Sequence, residues 1–380
     1  MSTSREIEAL VRRAWTFVEA GQFAPAVEQF DKARALDPKN ADLALEQGVA
    51  MFKLGRYGEA LASFDATLGL APGLLTAIVN RAKVLRLLGR LDEALAGYED
   101  ALGRAPGNVK AMLGRVDALA ALGRLDEALV HAQAALAADP KSPDTHFGLG
   151  HVLLGLGRLE AAKEALDEAV GGRPGFYEAL RARARLHRAE SRLESALEDL
   201  VTAQRARPDD VEAALEVTDV LLCMGRSSEA LGTAQRAMSL DQSHPLAWRY
   251  KGRAHLAQKN PAHGHLCLGM ALFLEGEHEP ALAELDRALE HDSRLGQAWS
   301  NRGVIFDKLG RYAEAVESYD KALALDPRAV TIWHNKGVAL FFHLGRQDEG
   351  LRCFKEVVRL DAKRWFKLPD AVRTRIPAPA

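Results

Sequence analysis

Two sets of side chains have the types and spacing to do chemistry. Arg181, Arg185 and Arg188 fall four and three residues apart, so a helix carries them on one face, and Arg249 and Arg253 repeat the four-residue spacing. Guanidinium groups pair bidentately with carboxylates and phosphates, which suits an acidic or phosphorylated partner. Glu216 and Asp219 lie between the two clusters, so pairing within the chain is the other reading. The second set is His255, His263, His265 and Cys267, with His263 and Cys267 one helical turn apart as metal ligands would be. No second pair matches it, and no metal is expected.

Catalysis finds no foothold. The chain has no Gly-x-Ser-x-Gly, no phosphate-cradling glycine loop, no His-Glu-x-x-His and no dinucleotide fingerprint, so no enzyme activity and no cofactor are expected. Cys223, Cys267 and Cys353 are odd in number and far apart, which fits neither a disulfide framework nor a zinc knuckle and points to a reducing, cytoplasmic setting. Charged residues make up 27% of the chain but nearly cancel, to a net charge of -2. A global field that would draw the protein to nucleic acid or to an anionic membrane is therefore absent, and any charge-based recognition is local. Arg5, Glu6 and Glu8 sit where a signal peptide needs an apolar core, and no window reaches the length of a membrane span.

The elements that position these residues are set by a repeat. Turn glycines recur every 34 residues at Gly21, Gly55, Gly89, Gly123, Gly157 and Gly225, with Ser191 in the one missing slot. Alanines keep the same frame at Ala26, Ala60, Ala94, Ala128, Ala162, Ala196 and Ala230, and a second series follows seven residues later. Prolines close the units at Pro38, Pro72, Pro106, Pro140, Pro174 and Pro208. Glycine takes the left-handed conformation that ends a helix, proline cannot continue one, and small residues seven apart let helices pack closely. Each unit therefore reads as helix, tight turn, helix.

In these features the sequence resembles the tetratricopeptide repeat family. Ala44 to Pro72, with Gly48, Gly55-Arg56-Tyr57, Ala60 and Phe64, follows the family pattern, and Trp299 to Pro327, with Gly303, Gly310-Arg311-Tyr312, Ala315, Tyr319 and Ala322, follows it further. The resemblance implies an all-α, right-handed superhelical solenoid of helix-turn-helix repeats. Its expected organisation is an N-terminal extension over 1–6, seven units over 7–244, an irregular half-repeat over 245–261, three units over 262–362, and a cap with a disordered tail over 363–380. The irregularity is read from the step between Gly225 and Gly276, one and a half repeats long, which implies either a kink or a helix over 263–274 that takes the outer slot. A one-residue insertion near Phe342 to Gly345 marks the last repeat, and Trp365 with Phe366 is expected to cover its end.

The resemblance also implies that the first helix of each unit lines a concave binding face. That places Asn80, Asn301 and Asn335 where relatives use an amide to grip a peptide backbone, and Lys83, Arg86 and Lys110 beside Asn80 in a partial likeness to a carboxylate clamp. Leu45 and Val49 stand where the full clamp has Lys and Asn. Arg181, Arg185, Arg188, Arg249 and Arg253 take groove positions in the same register, as do the apolar Trp15, Phe52, Phe147, Met270, Phe273, Phe341 and Phe342. The expected function is an adaptor that holds a peptide or helix of another protein, acidic in character. The alternative is a regulatory subunit of a separate enzyme, switched by flexing at the half-repeat.

Overall fold

The computed structural model describes residues 3–378. They form antiparallel helix pairs, and no strand occurs among the described residues. The pairs begin with α1 (Thr3–Glu19) and α2 (Phe23–Leu36), then α3 (Ala41–Lys53) with α4 (Tyr57–Leu70), α5 (Leu75–Leu87) with α6 (Leu91–Arg104), α7 (Val109–Ala121) with α8 (Leu125–Ala138), and α9 (Pro143–Gly155) with α10 (Leu159–Gly172). The chain divides into two compact units within α11 (Tyr177–Ala189), one up to Leu186 and one from His187. The second unit continues through α12 (Leu193–Ala206), α13 (Val211–Cys223), α14 (Ser227–Leu240), α15 (Pro245–Ala257), α16 (Pro261–Leu274), α17 (His278–His291), α18 (Gly296–Lys308), α19 (Tyr312–Leu325), α20 (Val330–Val338), α21 (Gln347–Leu360) and α22 (Asp370–Arg373).

Alanine, leucine, glutamate and arginine fill these helices, residues that lose little freedom on becoming helical. Where the first helix of a pair ends, Gly55 takes φ +80 and the Arg56 amide donates back to the Met51 carbonyl at 3.0 Å, which satisfies the last carbonyls and turns the chain. First helices open on caps such as Asn40, whose side chain accepts from the amides of Asp42 and Leu43, and Asn108, which accepts from Ala111. Second helices other than α16, which Asn260 caps, lack such caps; Arg56, Arg90, Arg124, Arg226, Arg311 and Arg346 instead fork onto the glutamate three residues ahead. The buried core of most pairs is an alanine layer plus one large residue on the second helix, Phe30, Phe64, Tyr98, Leu166, Leu200, Tyr319 or Phe354, whereas α8 and α14 carry Ala132 and Ala234 at that position.

The half-repeat resolves into one helix that serves two frames. The turn series continues 34 residues past Gly225 to Lys259, whose φ is +59, so the 51-residue step to Gly276 contains a turn that lacks its glycine. Second helices start at Phe23, Tyr57 and every 34 residues on to Ser227, and α16 starts on that count at Pro261. The helix α17, however, starts only 17 residues after it, at His278, and the later frame runs from there through α19 at Tyr312. α16 packs as a second helix against α15 and as a first helix against α17. Glycines make both approaches possible: a Cβ on Gly252 would lie 2.9 Å from the Gly264 carbonyl oxygen, and one on Gly269 would lie 3.1 Å from both the Ala281 carbonyl oxygen and Leu285 Cγ. An apolar residue set all round α16, with Ala262, Leu266, Cys267 and Ala271 buried, is what a helix covered on both sides requires.

The extra residue in the last repeat is absorbed as a π-helical turn, Ala339–His343, that follows α20 directly. It delays the turn glycine to Gly345, with φ +69, and brings the backbone of Phe341 onto Gly350, where a Cβ would lie 2.9 Å from the Phe341 nitrogen. Beyond α21, Leu368, Val372 and Ile376 bury themselves against Phe341, Phe354 and Val357, with Trp365 packed alongside and donating to the Ile376 carbonyl at 3.2 Å. Phe366 is 70% exposed, so the cover on the last repeat is Trp365 with the three aliphatic residues and not Phe366. Ile376 belongs to that core and not to a tail; Pro379 and Ala380 lie outside the described residues.

Candidate functional site

In the first unit, the face formed by α3, α5 and α7 collects cations. Lys83 lies 4.9 Å above the Phe52 ring, which α3 presents and which packs against Tyr57. Partial burial there, with Lys53, Arg86 and Lys110 close by, holds the Lys83 ammonium below the ordinary lysine value. Arg86 reaches Asp117 at 3.4 Å, while its Nε is buried without an acceptor. A cleft of about 370 Å³ opens beside this group, lined by Thr76, Val79, Asn80, Asn108 and Lys110 among others. The structure thus brings together Asn80, Lys83, Arg86 and Lys110 and adds Lys53 to them. Lys53 was passed over because one lysine at a helix end carries no signal until its neighbours are in place.

In the second unit, most of the candidate cations have partners within the chain. Asp219 of α13 accepts from Arg188 through one carboxylate oxygen and from Arg253 through the other, the latter at 3.4 Å. Arg249 donates to both oxygens of Glu275 at 2.6 Å. Asn335 touches the buried Tyr319 hydroxyl, which itself donates to Asp307 at 2.5 Å; burial holds that phenol far above its ordinary value. Gly303 lies under the same ring, with a Cβ position 2.4 Å from it. Asn301 is half-buried on α18. Before the division, in the part of α11 that belongs to the first unit, Arg181 donates to the Tyr177 hydroxyl at 2.8 Å and Arg185 is exposed.

Sequence models described as tetratricopeptide repeat match residues 11–74, 79–143, 119–186 and 296–328, together more than half of the chain. The chain belongs to the tetratricopeptide repeat family. Among solved structures it is similar to a thermophilic TPR protein of Thermus thermophilus, at 26% identity over 48% of this chain and 100% of that one, with a TM-score of 0.46. It is also similar to a human IFIT1 dimer solved with PPP-AAAA, at 18% identity over 82% of this chain and 81% of that one, with a TM-score of 0.55. At that identity the likeness speaks to the fold. No curated protein matches the chain.

Against the TPR pattern the remaining candidates are placed as follows. His263 rests against His255 with ring centroids 5.5 Å apart, whereas His265 turns to Glu284 at 2.7 Å and stacks on His291, so the four residues do not converge. Cys267 is buried and its thiol is pushed up to about 11 by burial. No group of three or more metal-ligating side chains occurs among the described residues. Of the apolar groove residues, Phe147 packs on Phe176 with centroids 5.1 Å apart, Trp15 meets Phe30 edge-on, Phe341 is buried, and Phe342 stays 45% exposed. No helix among the described residues is long and apolar enough to cross a membrane.

Proposed function

We propose that this TPR protein is an interaction scaffold and that the first-helix face of its N-terminal unit holds an acidic, extended segment of a partner protein. The observation that carries the reading is the imbalance around Lys83, where Lys53, Lys83, Arg86 and Lys110 gather about the single carboxylate Asp117. An anionic segment laid across α3, α5 and α7 relieves that repulsion, with Lys83 and Lys110 pairing its carboxylates and the Asn80 amide bonding its backbone. The same family register makes Asn301, Asn335, Arg181 and Arg185 secondary contacts, and leaves Arg188, Arg249 and Arg253 to maintain the Asp219 and Glu275 pairs.

The test is fluorescence anisotropy with a labelled glutamate-rich peptide, in parallel with the same peptide bearing glutamine in place of glutamate. Binding by the glutamate form is expected to weaken as salt rises and to fall about fivefold for each of Lys83→Ala and Lys110→Ala, corresponding to ~1 kcal/mol per charged contact. Equal binding of the two peptides, or unchanged affinity in both variants, refutes the reading. Circular dichroism of the variants checks that the helices remain.

A further inference from the structure

The helix shared by the two repeat frames is joined to its predecessor through a histidine pair, one ring of which is sheltered and lacks a partner for added charge. His255 near the end of α15 and His263 in the first turn of α16 meet with ring centroids 5.5 Å apart. The His255 Nδ1 atom is out of solvent and has no hydrogen-bond partner. In the neutral ring that nitrogen is a lone pair and costs little; in the imidazolium it is a buried N–H with no acceptor, which costs about 1–3 kcal/mol. His263 Nδ1 lies 3.2 Å from Asn260 Oδ1, so its second nitrogen is the one left to take a proton.

The surroundings supply no counter-charge. Neither α15 nor α16 contains an aspartate or glutamate, and Lys251 stands one helical turn before His255. The charged groups on the neighbouring elements are engaged elsewhere: Asp219 of α13 with Arg253, Glu229 of α14 with Arg226, Glu275 with Arg249, and Glu284 of α17 with His265 and Arg287. Burial, with His263 and Lys251 adding to it, accordingly holds His255 below the ordinary histidine value. Tight packing raises the stakes at this joint, because Gly252 and Gly264 bring the two backbones together and leave no room for water to enter between them without separating the helices.

We propose that the α15–α16 joint is an acid-labile latch, closed while His255 is uncharged and opened when it takes up a proton beside His263. Opening frees the one helix that both frames use, so the repeats before α16 and those after it uncouple on acidification. The sign follows from the neutral form of His255 being the one that fits: at pH well above 6.5 the folded and unfolded chains are both uncharged at this ring and the joint is at full strength. As pH falls from there towards the folded-state value, only the open or unfolded chain accepts the proton, and the closed state loses ground.

Hydrogen exchange of the full chain at pH 7.5 and 5.5, corrected for the intrinsic pH dependence of exchange, tests this. The opening constant of the α15 and α16 amides is expected to rise about tenfold for each unit by which the closed joint depresses the histidine value, while the amides of α3 to α8 keep theirs. His255→Gln, neutral at both pH values, abolishes the rise. Because His255 is partly buried, the exposed His263→Gln provides a second arm, in which the rise shrinks with no loss of helix. A wild-type joint whose opening constant is the same at both pH values overturns the proposal, as does a rise that persists undiminished in His263→Gln.

Discussion

The crossing of α15 over α16 makes a quantitative prediction for Gly252→Ala. A methyl group there would sit 2.9 Å from the Gly264 carbonyl oxygen, closer than real Cβ contacts come, and 3.0 Å from Leu268 Cγ, tighter than most of them. The leucine can rotate, but the oxygen belongs to the backbone, so the two helices must move apart. Overpacking of this kind costs about 1–3 kcal/mol, and replacing glycine by alanine in a helix returns about 1 kcal/mol. The net expectation is destabilisation by up to roughly 2 kcal/mol, or a melting temperature lower by up to several degrees for a unit of this size. Gly232→Ala is the matched control, since Gly232 lies within α14 and its Cβ would meet nothing within 4 Å. The same chemical change there is expected to stabilise by about 0.5–1 kcal/mol. Thermal unfolding followed by circular dichroism reads both, and hydrogen exchange localises the effect, since repeat arrays unfold in parts. Equal shifts at the two positions, with Gly252→Ala as stabilising as Gly232→Ala, refute the close crossing.

Three further substitutions probe the places where the repeat departs from its own pattern. Lys259→Gly relieves a non-glycine residue at φ +59 and is expected to raise stability by up to ~1 kcal/mol, measured by denaturant midpoint. Gly350→Ala drives a methyl onto the Phe341 backbone under the π-helical turn and should lower the melting temperature, with lost protection confined to α20 and α21. Tyr319→Phe removes the donor from Asp307, whose other oxygen is already buried without a partner, and should cost about 1–3 kcal/mol in thermal unfolding. A neutral outcome in any of the three removes the corresponding argument.

The helices and their pairing were legible because each unit states its turn, its close contacts and its end in residues with few alternatives. The half-repeat was legible as an irregularity with two readings, a kink or a helix over 263–274 in the outer slot, but not as a helix that also opens the next frame. Lys259 hides the turn that keeps the first frame going, since a left-handed conformation is read from glycine and here a lysine adopts it, as Ser191 does in its slot. Likewise, the insertion near Phe342 announced itself by count, but its form as a π-helical turn depends on Gly350 yielding room, which only packing reveals. The candidate site divides along similar lines. Charges on one helix face could be read from spacing, whereas the sharing of Asp219 by Arg188 and Arg253 depends on residues about 30 positions apart meeting across a stack. The cationic group around Lys83 draws its members from the first helices of three successive pairs, so Lys53 joins it only once the stack is known.

The double duty of α16 also bears on how such a gene changes length. Unequal exchange between similar repeats adds or removes whole units, and an array tolerates this because each unit presents the same two faces to its neighbours. The helix α16 has no equivalent elsewhere in the chain: one side fits the frame that reaches it from Phe23, the other the frame that leaves through His278. Duplications upstream or downstream preserve both fits, but an exchange that crosses α16 replaces one of its faces with a solvent-facing surface. Whole units therefore fit on either side of α16 but not across it, which makes that helix a fixed seam between two blocks.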